Sequence, residues 1–188
     1  MTAPRDSRRF LMLDRDGTIN VERHYLSDPD QLELYPGVGQ ALARLRGLGY
    51  GLVVVTNQSG IARGYFDLET LDRVHDRLRE LLAGFGVTVD GIYLCPHGPD
   101  EDCDCRKPLP GMVDQAVAEL GFDPARAIMV GDKAVDVELG RAVNAAASIL
   151  VLTGHGMSNQ AKCTPDLLAE DFPAAARWIE ERFGRGDV

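Results

Sequence analysis

The sequence predicts an α/β fold, a parallel sheet doubly wound with helices on both faces. Three observations predict it. Short apolar runs rich in β-branched residues recur along the chain, longer amphipathic stretches separate them, and polar residues gather where several runs end. Strands that alternate with helices pair in parallel, because each helix carries the chain back across a sheet face. In such a Rossmann-like sheet, ligands bind at the carboxyl ends of the strands.

Five segments have strand character: FLMLD (10–14), GLVVVTN (51–57), GIYLC (91–95), AIMVGD (127–132) and SILVLT (148–153), the last expected at the sheet edge. Helical periodicity covers 37–48, 67–85, 110–121, 134–145 and 172–183, and the first and third of these open on Pro-Gly. Gly49, Gly86 and Gly121 stand where helices commonly end in a left-handed residue.

At 188 residues, one domain spanning 1–188 is expected, large enough to bury a core without disulfides. The net charge of -9 excludes non-specific binding to nucleic acid or an anionic membrane, but not a locally positive site for a small anion. No apolar run approaches the ~20 residues of a membrane span, and MTAPRDSRRF has no apolar stretch behind it to act as a signal peptide. Three of the four cysteines cluster at a spacing unlike a disulfide framework, so a reducing cytoplasm is expected. No exposed apolar patch is evident in the pattern, so a monomer is expected.

LDRDGT (13–18) places Asp14 and Asp16 directly after the first strand. Two carboxylates before a glycine can simply cap a turn. They can also divide a phosphoryl transfer, with Asp14 attacking phosphorus and Asp16 protonating the leaving alcohol and later activating water. A carboxylate approaching a phosphate needs a cation. Mg2+ suits an all-oxygen site made by Asp14, the Asp16 carbonyl and Asp132, with Asp136 in support. GDKAVD (131–136) has that spacing, although a helix cap and a first-turn acid would explain it alone. Thr56, at the end of the second strand, can donate to the phosphate, and Lys107 can offset its developing charge.

CPHGPDEDCDCRKP (95–108) carries Cys95, His97, Cys103 and Cys105. Three thiolates and an imidazole make a closed tetrahedral zinc set. With no open position, such a zinc folds the loop and holds Arg106 and Lys107, but runs no reaction. Several other residues are assigned no role: Cys163, His75 on a helix face expected to be solvated, the TGHG loop (153–156), and Trp178 as a core anchor.

DRDGT, VVVTNQSG, CRKP and VGDKAVD, in this order, resemble the four motifs of the haloacid dehalogenase superfamily of phosphohydrolases. DRDGTIN (14–20), TNQSGIARG (56–64), CPH (95–97), CDCRKPLPGM (103–112) and MVGDK (129–133) are similar to the D,D-heptose 1,7-bisphosphate phosphatases. Histidinol-phosphate phosphatases share DRDGT, the cysteine cluster and RKP.

The resemblance implies a core with a minimal cap, a zinc-binding loop and a small phosphosugar substrate. The reaction implied is removal of the 7-phosphate in the synthesis of nucleotide-activated heptose for lipopolysaccharide or S-layer glycan. It also implies Asp14 as nucleophile, Asp16 as acid/base, Thr56 and Lys107 on the phosphoryl group, and Asp132 completing the Mg2+ site. Glu22, Arg23, His24, Tyr25, Asn57, Gln58, Ser59, Arg106 and Lys133 fall at substrate-facing positions, with Arg106 suited to the second phosphate. Histidinol phosphate is the alternative substrate. A phospho-accepting receiver domain is the alternative of another class, and an acid/base at Asp16 argues against it.

Overall fold

The computed structural model describes residues 8–184. The reading of the first residues as free of a signal peptide rests largely on 1–7 and lies outside the described residues. Six strands form one sheet: β1 (Phe10–Leu13), β2 (Gly51–Asn57), β3 (Gly91–Cys95), β4 (Ile128–Gly131), β5 (Ala147–Val151) and β6 (Leu167–Ala169). Their order is β3-β2-β1-β4-β5-β6, and every pairing is parallel. The helices are α1 (Val38–Gly47), α2 (Leu68–Ala83), α3 (Gly111–Leu120), α4 (Ala134–Ala142), the short α5 (Gly156–Asn159) and α6 (Phe172–Phe183).

The apolar runs are continuous because both sheet faces are covered. Successive strand residues point to opposite faces. Leu11 and Leu13 therefore enter a core with residues of α1, α2 and α6, whereas Phe10 and Met12 enter one with residues of α3 and α4. Phe10 stacks on Phe122 with ring centroids 4.4 Å apart, which anchors the second core. Burying each such side chain contributes roughly 1.5–3 kcal/mol, so a charge at Val54 or Met129 would break the fold before it touched chemistry.

Helix starts follow from local side chains. Asp67 accepts from the Thr70 amide at 2.8 Å to open α2, and Asp171 accepts from Ala174 at 2.7 Å to open α6. Gly49, Gly86 and Gly121 all adopt positive φ, as their positions after helical segments predict.

Two expectations are corrected. β5 is not the edge strand, because β6 pairs beyond it. β6 has only three residues, with Leu168 exposed, which is too short to carry a periodic signal. His75 is not on a solvated face: it is 3% exposed and faces inward with Leu71, Val74 and Leu78. Its charged neighbours in sequence hide the fact that it falls on the apolar stripe of α2.

β1 is where the chain winds outward in both directions, toward β2 on one side and β4 on the other. A crevice opens beyond the carboxyl ends of the strands at such a switch point. The connections that rim it, residues 14–37 and 58–67, hold no helix beyond the 3-10 turn Pro29–Gln31. No helix among the described residues is long and apolar enough to cross a membrane.

Candidate active site

Asp14 continues β1, and its amide donates to the Val130 carbonyl at 2.9 Å, so the side chain emerges at the sheet centre. The turn that follows needs Gly17. Its φ is +88°, and a Cβ there would run into the Asp132 carboxylate. Gly17 thus brings the first turn against the end of β4.

Asp14, Asp132 and Asp136 each offer an oxygen within 4.8 Å of the others, and all three are buried. Lys107 lies among them, with Nζ 2.8 Å from Asp14 Oδ1, 2.7 Å from Asp136 Oδ1 and 2.8 Å from the Val55 carbonyl. Burial would lower the Lys107 pKa, but Asp136 and Asp14 outweigh it and hold the ammonium charged. Burial, then Asp14, pushes Asp132 up to about 8, with Lys133 opposing. Three carboxyl groups crowd one ammonium in a buried space, and burial together with their mutual repulsion is what raises Asp132. Asp132 Oδ1 accepts no hydrogen bond among the described residues, and Lys133 Nζ is 3.9 Å from it. A hard divalent cation fits both facts.

Asp16 is held differently. Arg15 donates from Nε and Nη2 to Asp16 Oδ2 at 3.1 and 2.8 Å, Gln58 Nε2 donates to the same oxygen at 2.9 Å, and Asn20 Nδ2 donates to Oδ1 at 2.9 Å. Burial works against ionisation, yet the Arg15 charge and these hydrogen bonds hold the carboxyl below its ordinary value. Gln58 also donates to Thr56 Oγ1 at 2.8 Å, so it ties the end of β2 to the end of β1. Asn57 grips the backbone of Lys107, accepting from its amide at 3.0 Å and donating to its carbonyl at 3.4 Å.

Above these groups lies a hole of about 30 Å³ lined by Asp14, Asp16, Thr56, Asn57, Lys107, Lys133 and Val135. It adjoins a cleft of about 560 Å³ bordered by Glu22, His24, Tyr25, Gln58, Ser59 and Arg106, with several of the hole's residues shared. His24 and Tyr25 hold φ of 52° and 68°, a conformation that costs non-glycine residues energy and turns this loop to face the cleft. Arg23 goes elsewhere: its guanidinium pairs with Glu33 at 2.9 Å and does not line the cleft.

The cysteine cluster assembles as its spacing predicts. Cys95 Sγ is 3.5 Å from His97 Nδ1 and 3.9 Å from Cys103 Sγ, and His97 Nδ1 is 3.3 Å from Cys105 Sγ. Tetrahedral zinc with bonds of about 2.3 Å to sulfur and 2.0–2.1 Å to nitrogen implies edges of about 3.8 Å between sulfurs and 3.5 Å from nitrogen to sulfur. Without a cation, burial and then Cys105 push the Cys95 thiol up to about 12. Arg106 follows directly, donating to the His97 carbonyl at 3.1 Å. Cys163 stands apart, with its thiol on the Asn159 carbonyl at 3.7 Å.

Sequence reasoning missed one wall. His155, Ser158, Asn159 and Lys162 also line the cleft. Glycines flanking His155 were the available signal, since Gly154 (φ +54°) packs on Asp132 and Gly17 where a Cβ would collide. It missed Arg15 too, because a fully buried arginine looks like any charged residue in a motif.

A HAD-hydrolase-like family model matches residues 104–175. The chain is 43% identical over 179 residues to D-glycero-beta-D-manno-heptose-1,7-bisphosphate 7-phosphatase of Pasteurella multocida, covering 92% of this chain and 97% of that protein. It is 46% identical to the protein of that name from Pseudomonas aeruginosa, covering 90% and 97%. Among solved structures it is similar to D,D-heptose 1,7-bisphosphate phosphatase from B. bronchiseptica complexed with magnesium and phosphate, with a TM-score of 0.85, 38% identity, and coverage of 92% and 98%. These likenesses run nearly the full length of both partners, and the chain belongs to the heptose 1,7-bisphosphate 7-phosphatase family of the haloacid dehalogenase superfamily.

Proposed function

We propose that this protein is a phosphomonoesterase that removes the 7-phosphate of D-glycero-β-D-manno-heptose 1,7-bisphosphate, a step toward nucleotide-activated heptose. The observation that carries it is the buried set of Asp14, Lys107, Asp132 and Asp136 at the floor of a small hole that opens into the cleft, with Asp16 two residues from Asp14. Naming of the curated relatives for the β anomer favours that anomer here.

Asp14 attacks phosphorus, and the bond to the sugar oxygen breaks as that oxygen takes a proton from Asp16. A water then gives its proton back to Asp16 and attacks the phosphorus of phospho-Asp14, which frees phosphate, restores the Asp14 carboxylate and leaves Asp16 protonated. Asp16 is held ionised in the free protein. Like-charge repulsion from an arriving phosphate dianion raises its pKa, so Asp16 takes up a proton from solvent as the substrate binds and holds it for the leaving group. Thr56 and Lys107 stabilise the equatorial oxygens in transit.

Asp14, the Asp16 carbonyl and Asp132 would hold Mg2+, supported by Asp136 and by the magnesium named with the B. bronchiseptica relative. Bound there, Mg2+ supplies charge neutralisation between nucleophile and phosphate. Cys95, His97, Cys103 and Cys105 would hold a structural zinc that fixes Arg106 over the cleft, where a guanidinium suits the second phosphate, while Lys133 borders both the hole and the cleft. Glu22, His24, Tyr25, Asn57 and Ser59 face the sugar. Thiolate ligands require a reducing compartment, which fits a cytoplasmic protein, and nothing in the catalytic set calls for a second subunit.

Phosphate release with Mg2+ present, compared between both heptose bisphosphate anomers and histidinol phosphate, tests this function. A kcat/KM advantage of about a hundredfold for the β anomer is expected, equal to about 2.7 kcal/mol of transition-state preference. Preference for histidinol phosphate would move the protein to the neighbouring activity.

A further inference from the structure

Two walls enclose the cleft beyond the phosphoryl hole, and they come from opposite sides of the sheet centre. β3 and β5 lie two strands out from β1 on opposite sides, beyond β2 and β4. Arg106 lies on the loop after β3, and Lys162 lies just past α5, on the connection that leaves β5. Both line the cleft.

The segment leading to Lys162 is fastened to the catalytic turns. Thr153 Oγ1 donates to the Gly17 carbonyl at 2.6 Å, the Gly154 amide to the Tyr35 hydroxyl at 3.1 Å, and the His155 amide to Asp132 Oδ2 at 2.7 Å. The Ala134 amide donates to Asn159 Oδ1 at 3.2 Å. Four bonds to four separate points make this segment a fixed wall of the site.

Charge pairing then separates the cations of the cleft. Lys107 is committed to Asp14 and Asp136. Lys133 and His155 share Glu22 Oε2, at 3.6 and 3.4 Å. Arg106 bonds a backbone carbonyl, and neither it nor Lys162 has a carboxylate partner among the described residues. In a chain of net charge -9, two uncompensated cations on one cleft form a place for an anion. A substrate with two phosphates brings such an anion, and a hole of about 30 Å³ has no room for it.

We propose that Lys162 is a specificity-determining residue that, with Arg106 on the other wall, holds the phosphate that does not react. The assignment rests on the bisphosphate reading of the function.

The test compares kcat/KM for heptose 1,7-bisphosphate and for heptose 7-phosphate, which lacks the anomeric phosphate, in the Mg2+-loaded protein. Wild type favours the bisphosphate. Lys162→Ala lowers that preference about tenfold, the size of a lost charge-assisted contact. The loss enters through KM, because the contact is made equally before and during the reaction. Lys162→Arg keeps most of the preference. An unchanged ratio in Lys162→Ala, with wild type still favouring the bisphosphate, overturns the Lys162 assignment alone, as does an equal fall in Lys162→Arg. A wild-type ratio near one overturns the bisphosphate reading and this assignment with it. Lys162 is exposed, so matched melting temperatures are expected and confirm that each variant is folded.

Discussion

Lys107 Nζ lies 2.8 Å from Asp14 Oδ1 across 93 residues of sequence, and both side chains are almost wholly buried. This pair sets the charge of the site before any ligand arrives. Lys107→Met should therefore leave three buried carboxylates uncompensated and cost about 3 kcal/mol of stability without Mg2+. Saturating Mg2+ should recover part of that loss while kcat stays down by at least about a hundredfold. Urea unfolding with and without Mg2+ measures both, and an equal loss in the two conditions would separate Lys107 from the cation site.

Asp14→Asn should abolish turnover, with kcat down by at least ~10⁴. Asp16→Asn should slow the natural substrate by roughly 10²–10⁴. With an aryl phosphate, whose leaving group needs no proton, it should accumulate phospho-Asp14, visible by rapid-quench mass spectrometry. Wild-type activity in Asp14→Asn would sink the covalent mechanism.

Gly17→Ala forces a side chain into the Asp132 carboxylate from a left-handed backbone position. The backbone alone should cost roughly 1–2 kcal/mol. Activity should also require a higher Mg2+ concentration, read as a shift in the Mg2+ titration midpoint. An unshifted midpoint would mean that Asp132 does not need this turn.

Cys103→Ala removes one of the four side chains proposed to hold zinc in the loop that carries Arg106 and Lys107. A lower melting temperature and a reduced kcat/KM are expected, with Mg2+ binding retained. Elemental analysis should find zinc in the parent and little in the variant. Unchanged stability and turnover would count against a structural zinc.

His75 gives a pH dependence. Burial, then Arg15 and Arg79, pushes its imidazole down to about 3, with Asp16 opposing. The unfolded chain takes up that proton near the ordinary value of 6.5, so below it the unfolded state binds one more proton than the folded one. Stability falls as pH drops from 6.5 toward 3, by about 1.4 kcal/mol per unit. Between pH 7 and 5, His75→Gln should lose about 2 kcal/mol less than wild type in urea unfolding. Parallel pH curves would place His75 in a solvated setting after all.

Much of the site was legible because its signals are local. DRDGT and GDKAVD each sit at a strand end, and the Cys/His quartet is confined to eleven residues, Cys95 to Cys105, so the candidate residues stand out from spacing, although GDKAVD by itself reads equally as a helix cap. The cleft wall at 155–162 was not legible, because a histidine in a Gly-rich loop and a lysine after a short helix look the same whether they face a ligand or solvent. Arg23 shows the converse. It sits inside a segment that otherwise turns to the cleft, yet its side chain points to Glu33.

The sequence by itself determined the alternation of the first five strands with their helices, the doubly wound class, and which residues are candidates to act on a phosphate or hold zinc. Periodicity and short spacings encode those properties directly. Only the tertiary structure decided that Lys107 balances Asp14 and Asp136, that His75 is buried beside charge, that β6 closes the sheet, and that Lys162 faces Arg106's cleft. Those are distances across crossovers, set by how helices pack on both faces of a parallel sheet, and no local pattern specifies them.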